Sequence, residues 1–469
     1  MAFLIGGANT ESAAYQIDNS GLFNDGQSQA LTRTHGASGS TRTFTFSCWV
    51  KFSDPKTGSS ASDCCHGIFA SEEEAGHQFF ISTDEGQIFR IADYQDGSYN
   101  LHLQTNRKFR DHSAWYHFCI IFDTTDGTQG DRCKLFVNGV RETSFSTEVY
   151  PSQNTDLYGN DNQAHFIGRR GGSNTMYFDG YIADVNFIDG TAAAATEFGE
   201  TNDNGVWIPK KYGGSYGNNG FFLEFGNTGT GQGANKFASD TSGNGNHYDT
   251  NNFSGQYQMT DTPTNNFCTL NPLHKSTTDV VLSKGNTEVV SGYSSGWQHC
   301  AATMAVRNGK WYWEAKAETV SATDKTSIGV FQFDTTDVDF IGVTNTDRSS
   351  KGISGHGAGT GSYSYADDDI IMCGMDLDNN KVYWGKNGTW FGSLDPAAGS
   401  GSTTQTIDNS NFCVPAVGGY GGSIWQLNFG NPTFSISSGN TDANGYGNFE
   451  YSVPSGFFAL NTKNLAEYG

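Results

Sequence analysis

Hydrophobic and polar residues alternate with a period of two along most of this chain. In TFTFSCWVKF (43–52), Phe44, Phe46, Cys48 and Val50 fall on one face, and Thr45, Ser47 and Trp49 on the other. The same pattern continues at short spacing in HQFFIST (77–83), GQIFRIAD (86–93) and YNLHLQT (99–105). WYHFCIIFD (115–123) is a strongly apolar strand ending in Asp. KLFVNGVRE (134–142) carries Asn138-Gly139, the pair that favours a type I′ hairpin turn. AHFIGRR (164–170), FDGYIADVNFIDG (178–190) and GFFLEFG (220–226) add further strands. The Ala-rich stretch TAAAATEFGE (191–200) predicts a single short helix.

After residue 272 the pattern resumes. VVLSKGNTEVVSG (280–292) is followed by a hairpin over CAATMAVRNGKWYWEAKAE (300–318), turning at Asn308-Gly309. SIGVFQF (327–333) comes next. Then DDDIIMCGMDLDNNKVYWGKNGTW (367–390) turns at Asn379-Asn380 and again at Asn387-Gly388. FCVPAVGGYGG (412–422) and SIWQLNFGNP (423–432) close the set. Strands every 10–20 residues with turn signals between them predict a sandwich, and the family resemblances of the two halves imply an all-β chain of two antiparallel β-sandwiches in series. We divide it into an N-terminal peptide that could serve as an anchor (1–15), a first domain (16–265), a linker (266–271) and a second domain (272–469). DTPTNNFCTLNP (261–272), with Pro263 and Pro272 among small polar residues, carries the linker; its apolar Phe267 and Leu270 suit a packed one.

Composition agrees with this reading. The 469 residues favour two or three domains. Gly is 60, with Phe 34, Tyr 21 and Trp 9, which suits tight turns and pleated sheets and argues against disorder. The net charge of −22 is spread over both halves. There are 16 Lys and Arg against 30 Asp and Glu before residue 265, and 11 against 19 from there on. Such a surface repels phosphate backbones and anionic lipids, so neither nucleic acid nor membrane insertion is expected. No run approaches the ~18 apolar residues of a membrane helix, and MAFLIGGANTES lacks the basic start of a signal peptide. The nine cysteines show no framework and read as reduced thiols, which suits synthesis in a cytoplasm.

The first half resembles the concanavalin A-like lectin/glucanase superfamily in its laminin-G-like form, on FTFSCWVKF, WYHFCIIFD, KLFVNG, IGRR and FDGYIADVNFID taken in order. The resemblance implies a two-sheet jelly roll that often binds glycans or calcium. The second half resembles a SPRY domain, on GKWYWEAK, SIGV, DDIIMCGMDLDNNKVYWGKNG, VPAV and WQLNFG. That implies a sandwich which binds partners through loops and has no enzymatic activity. The combination, with GVWIPKKYGGSYGNNGFF, SGNGN and DTPTNNFCTLNP between the two, resembles virion structural proteins of tailed, marine-type bacteriophages. It implies a tail fibre or capsid appendage in the virion, assembled in the bacterial host cytoplasm. Its partners would be other virion proteins, host-surface glycans and further copies of itself.

Candidate chemistry is sparse. Glycoside hydrolysis needs two facing carboxylates, and no strand carries the Glu-x-Asp-x-x-Glu arrangement of retaining glucanases. Asp179, Asp184 and Asp189, spaced by five, alternate between strand faces. No catalytic residues are expected; a glycan depolymerase and a secreted bacterial lectin are the alternatives. Loop aromatics suited to stacking on sugars are Tyr94, Tyr99, Tyr158 and Trp207 in the first domain, and Tyr363, Tyr365, Trp390 and Tyr420 in the second. Trp49, Trp115, Trp313 and Trp425 lie inside strands and are assigned to packing. No cofactor is expected except calcium. Asp240, Ser242, Asn244 and Asn246 place oxygen side chains at alternate positions of one turn, as a hard cation requires. The missing Glu at the twelfth position favours an Asx-turn cluster instead.

Overall fold

The computed structural model describes residues 4–5, 15–56, 65–74, 76–171, 176–292, 298–320, 326–333, 350–354, 365–401, 407, 409–419 and 421–469. The chain forms two compact units, Glu11–Thr264 and Asn265–Gly469, the second of which also takes in Met1–Thr10. Both are antiparallel β-sandwiches, as the alternation predicts.

In the N-terminal unit one sheet runs, edge to edge, Val140–Arg141, Cys133–Val137, Tyr116–Asp123, Thr43–Phe52, Gly180–Asp189, Ser20–Phe23 and Gln258–Met259; Phe221–Leu223 pairs beside Gly180–Asp189. The other runs Phe145–Val149, Ser98–Lys108, Ile88–Gln95, His77–Asp84, Gly67–Glu74, Ala164–Ile167, Ala30–Thr34 and Asp249–Asn251. Alternate residues of each strand meet between the sheets. Phe44, Phe46, Phe118, Phe122 and Phe187 face Phe69, Phe79 and Phe89, all buried. Phe44 stacks on Phe122 at 4.5 Å and Phe89 on Phe118 at 4.3 Å. Each such ring contributes on the order of 2–3 kcal/mol by leaving water. Asn138 and Gly139 both take positive φ, 49° and 75°, in the expected hairpin turn.

The helix expected over 191–200 does not form. Only a 3₁₀ turn, Ala195–Glu197, is present. Ala193, Ala195 and Phe198 are instead packed with Cys119, Ile121 and Ile188, and the chain goes straight on into the strand Gly199–Thr201. Side-chain burial on a sheet outweighs the Ala propensity, which is worth only tenths of a kcal/mol per residue.

In the C-terminal unit one sheet orders Leu270–Lys275, Gln298–Ala302, Phe412–Gly419, Thr326–Phe333 and Ser350–Ser354. The other orders Val281–Ser283, Glu288–Val290, Ile424–Asn428, Lys310–Thr319, Ile370–Asp376, Lys381–Lys386 and Thr389–Trp390. Trp311, Trp313 and Trp425 are fully buried in its core. Leu4–Ile5 pairs in parallel with Met304–Ala305. Phe267, Cys268 and Leu270, from the segment read as a linker, are buried in this unit. An unanticipated helix, Thr462–Tyr468, starts at Asn461, whose side chain accepts the Asn464 N–H at 3.0 Å. Among the described residues, seven cysteines are free and buried; Cys65 is disulfide-bonded, against the expectation of thiols throughout. No described helix is long and apolar enough to cross a membrane.

A buried ion pair closes the N-terminal unit. Lys51 Nζ lies 2.7 Å from Asp261 Oδ2, with side-chain exposures of 1% and 0%. Trp115 Nε1 donates to Asp261 Oδ1 at 3.0 Å, and Ser20 Oγ donates to the Asp261 carbonyl at 2.6 Å. Lys51→Met is expected to destabilise this unit by about 3–5 kcal/mol, because it leaves a charge buried without its partner. Lys51→Met with Asp261→Asn should recover more than half of the loss in denaturant unfolding of the full chain. Simple addition of the two single effects would refute the coupling.

His35 and His165, both buried, stack at 3.7 Å. Burial first, then each other's charge and Arg33, hold His35 down to about 2, and burial holds His165 to about 4. A histidine held neutral in the fold takes its proton only on unfolding. Stability is therefore expected to fall as pH drops below about 6.5, by about 1.4 kcal/mol per pH unit for each such group. His35→Phe, which keeps a stacked ring, should flatten this acid limb in unfolding measured from pH 7 to 4; an unchanged slope would exclude the pair as its source.

Candidate functional site

The outer face of the second sheet of the N-terminal unit carries partly exposed tyrosines, arginines and a histidine around a buried row of Phe and Ala. It arises from strand register. Phe166, Ala70, Phe80, Ala92 and His102 lie side by side across five strands. Gln78, Tyr94 and Tyr99 form the next row on one side, and Ser82, Arg90 and Gln104 the row on the other. All are the off-core positions of alternating strands, whose partners Phe79, Ile91 and Leu103 point inward. Large and small residues alternate along the central row, so Ala70 and Ala92 leave room beside the Phe80 ring.

Two guanidinium groups use that room. Arg170 lies 3.6 Å from the Phe80 ring centroid and Arg90 lies 5.1 Å from it. Arg90 Nη1 donates to Asp84 Oδ2 at 2.7 Å, and Nη2 donates to Tyr99 Oη at 2.8 Å. Gln104 Nε2 also donates to Asp84 Oδ2, at 3.0 Å. Tyr99, 37% exposed, stands edge-to-face with Tyr94 at 5.0 Å and stacks on His102 at 4.4 Å. Asp96-Gly97, with φ of 50° and 87°, turns the hairpin that brings the two tyrosines together. Burial, then the Arg90 charge, hold His102 down to about 4 and Arg170 down to about 10. The face thus offers a neutral imidazole at neutral pH, two arginines, the Asp84 carboxylate paired with one of them, two tyrosines and amide groups.

Of the eight aromatics singled out in the sequence, six are among the described residues, and of these Tyr94 and Tyr99 are brought together. Tyr158 stacks on His77 at 5.2 Å and is half-buried against the core; its N–H donates to Asp93 Oδ2 at 2.8 Å. Burial pushes that carboxyl up to about 7. Trp207 lies flat on Gly139 and Gly199, where an added Cβ would come within 2.3 and 2.5 Å of its ring, and its Nε1 donates to His117 Nδ1 at 3.1 Å. It is a packing residue. Tyr365, expected in an exposed loop, is in the core beside Trp425, its hydroxyl donating to the Thr326 carbonyl at 2.7 Å. Trp390 is half-buried, edge-on to Tyr312 at 6.4 Å. Tyr363 and Tyr420 lie outside the described residues. Sequence reading passed over Phe80, Arg90, His102 and Arg170. Phe80, Arg90 and His102 are off-core members of alternating strands that register brings together, and Arg170 comes from the segment that follows the strand Ala164–Ile167.

In the turn considered for calcium, both oxygens of Asp240 meet amides. Oδ1 accepts from Phe222 N and Ser242 N, at 2.9 and 2.8 Å, and Oδ2 accepts from Asn246 N at 2.7 Å. Asn244 Nδ2 donates to the carbonyls of Gly217 and Gly220, and Asn246 Nδ2 to those of Asn218 and Gly220. This is Asx-turn geometry. Among the described residues no cluster of three His, Cys, Asp or Glu side chains is placed to hold a metal. Asp240→Ala is expected to cost about 2–4 kcal/mol by orphaning three amides, equally with and without a chelator in thermal unfolding. A stabilisation by calcium that this substitution abolishes would contradict the assignment.

No curated protein matches the sequence. The structure is similar to that of a human SPRY domain, at 18% identity, covering 32% of this chain and 94% of that one with a TM-score of 0.24. It is also similar to a native heptameric pentraxin from Limulus polyphemus, at 14% identity, covering 39% and 80% with a TM-score of 0.29. A third is domain 4 of an extracellular arabinanase from Geobacillus stearothermophilus, solved with arabinotriose, at 15% identity, covering 40% and 78% with a TM-score of 0.28. Residues 24–197 match the Laminin_G_3 family, described as the concanavalin A-like lectin/glucanases superfamily, so the N-terminal unit carries a concanavalin A-like domain.

Proposed function

We propose that this chain is a non-enzymatic structural protein of a phage virion, a tail fibre or capsid appendage, that binds host-surface glycan on the outer sheet face of its N-terminal sandwich. The observation that carries the binding site is the Tyr94–Tyr99 pair, edge-to-face at 5.0 Å and bordered by Arg90 and His102. An exposed ring with hydrogen-bonding groups around it suits a pyranose, which has an apolar face and a polar rim. Asp84, a carboxylate at the end of a strand of this face, is engaged by Arg90 and Gln104, which suits binding more than proton transfer to a glycosidic oxygen. The virion role rests on the ordered resemblance of both halves and of the Gly- and Asn-rich segment between them.

Tyr99→Ala is expected to weaken glycan binding by tenfold or more, about 1.4 kcal/mol, while leaving thermal stability nearly unchanged, since the ring is partly exposed. A glycan array followed by titration of the hits measures this. Release of reducing ends from those hits would establish a depolymerase instead. Antibody labelling of virions in negative stain tests the placement; unlabelled particles would favour a secreted lectin.

A further inference from the structure

We propose that the glycan taken by this face is acidic, and that a sugar carboxylate is held by the Arg170 guanidinium beside Arg90. The inference rests on the reading of the face as a glycan site. Arg170 makes no ion pair among the described residues; its recorded polar contact is from Nη1 to Met176 Sδ at 3.4 Å. In a chain with 49 acidic residues against 27 basic ones, a half-buried arginine is easily matched with a carboxylate. Arg90, next to it, is so matched, with Asp84. Arg170 instead lies over the Phe80 ring, 3.6 Å from its centroid.

Stacking fixes the plane of a guanidinium and removes water from its face, yet leaves the N–H groups of its edge to donate. A planar, oriented fork of donors suits a carboxylate, which can accept from it in bidentate fashion. The second cation on the same ring, Arg90, is 5.1 Å from the Phe80 centroid and is paired with Asp84, which leaves Arg170 as the guanidinium an arriving anion meets. Burial and then Arg90 disfavour the charged form of Arg170, and Tyr99, Asp84 and Glu72 nearby oppose that shift only in part. Tyr99, whose hydroxyl accepts from Arg90, places the sugar-stacking ring next to this charge.

The full chain should be titrated with an oligogalacturonate, with the same oligosaccharide after carboxyl reduction, and with dextran sulfate. The uronate is expected to bind at least tenfold more tightly than its reduced, neutral form. Arg170→Met, which keeps an apolar stem on Phe80, should bring the two affinities together. Arg170→Lys, keeping charge but not the fork, should fall between, and thermal unfolding of both variants checks that they fold. Tyr99→Ala should weaken both ligands. Equal wild-type affinity for the two forms would overturn the acidic assignment and leave the glycan site standing. Binding of neither would overturn both. Binding of dextran sulfate in preference to the uronate would overturn the carboxylate as the recognised group.

Discussion

In the N-terminal sandwich the fully buried carboxylate of Asp261 accepts from Lys51 and Trp115 while its carbonyl accepts from Ser20. Those donors come from the central strand Thr43–Phe52, from the lead-in to Tyr116–Asp123, and from the strand Ser20–Phe23. One side chain near the end of the unit thus ties the return segment to both sides of the sheet. A buried charge is costly alone, so the segment docks with all its partners or not at all. The C-terminal sandwich does the same with Glu314. It accepts from Tyr312 Oη and Asn428 Nδ2, and from the N–H groups of Glu450 and Tyr451. Burial raises its carboxyl above the usual range, and those four donors oppose the shift.

These staples change the meaning of the acidic composition. The net charge is −22, yet several acids work inside. Asp189 accepts from Ser40 N, Asn160 Nδ2 and Asn219 N, drawing three loops to one strand end. Asp442 gathers the N–H groups of Asn444, Tyr446 and Ala459. Long irregular connections between strands need acceptors for their amides, and carboxylates supply two each. Asp184 belongs to the same economy of contacts. It interrupts the ladder between Ala183 and Asn186 with a φ of 52°, and its carboxylate accepts from Tyr15 Oη at 2.8 Å.

The outer face of the second sheet depends on the core beneath it. Phe79, Ile91 and Leu103 lock three strands into register from inside. That same register aligns Phe80, Ala92 and His102 outside. A one-residue slip would exchange the two faces, so the site is as firmly held as the core.

Much of the fold was legible along the chain. Alternation in 43–52, 77–83, 99–105 and 115–123 and the turn pairs Asn138-Gly139 and Asn387-Gly388 marked strands and hairpins, because side-chain direction in a strand and positive φ in a turn are local properties. Ala-rich 191–200 misled, because its propensity was overruled by burial against Cys119 and Ile121. The site was half legible. Tyr94 and Tyr99 could be named because an Asp-Gly turn separates them by a few residues. Phe80 and Arg170 are ninety residues apart, and Tyr365 and Trp207 look like loop aromatics until neighbouring strands cover them. The sequence by itself determined that this protein is built of strands, where they turn, and which side of each strand is apolar. Only the tertiary structure decided which strands are neighbours and in what register, since that choice comes from burying both sheets' apolar faces together, and it brought Arg90 of a neighbouring strand and Arg170 of a following loop to one phenylalanine ring.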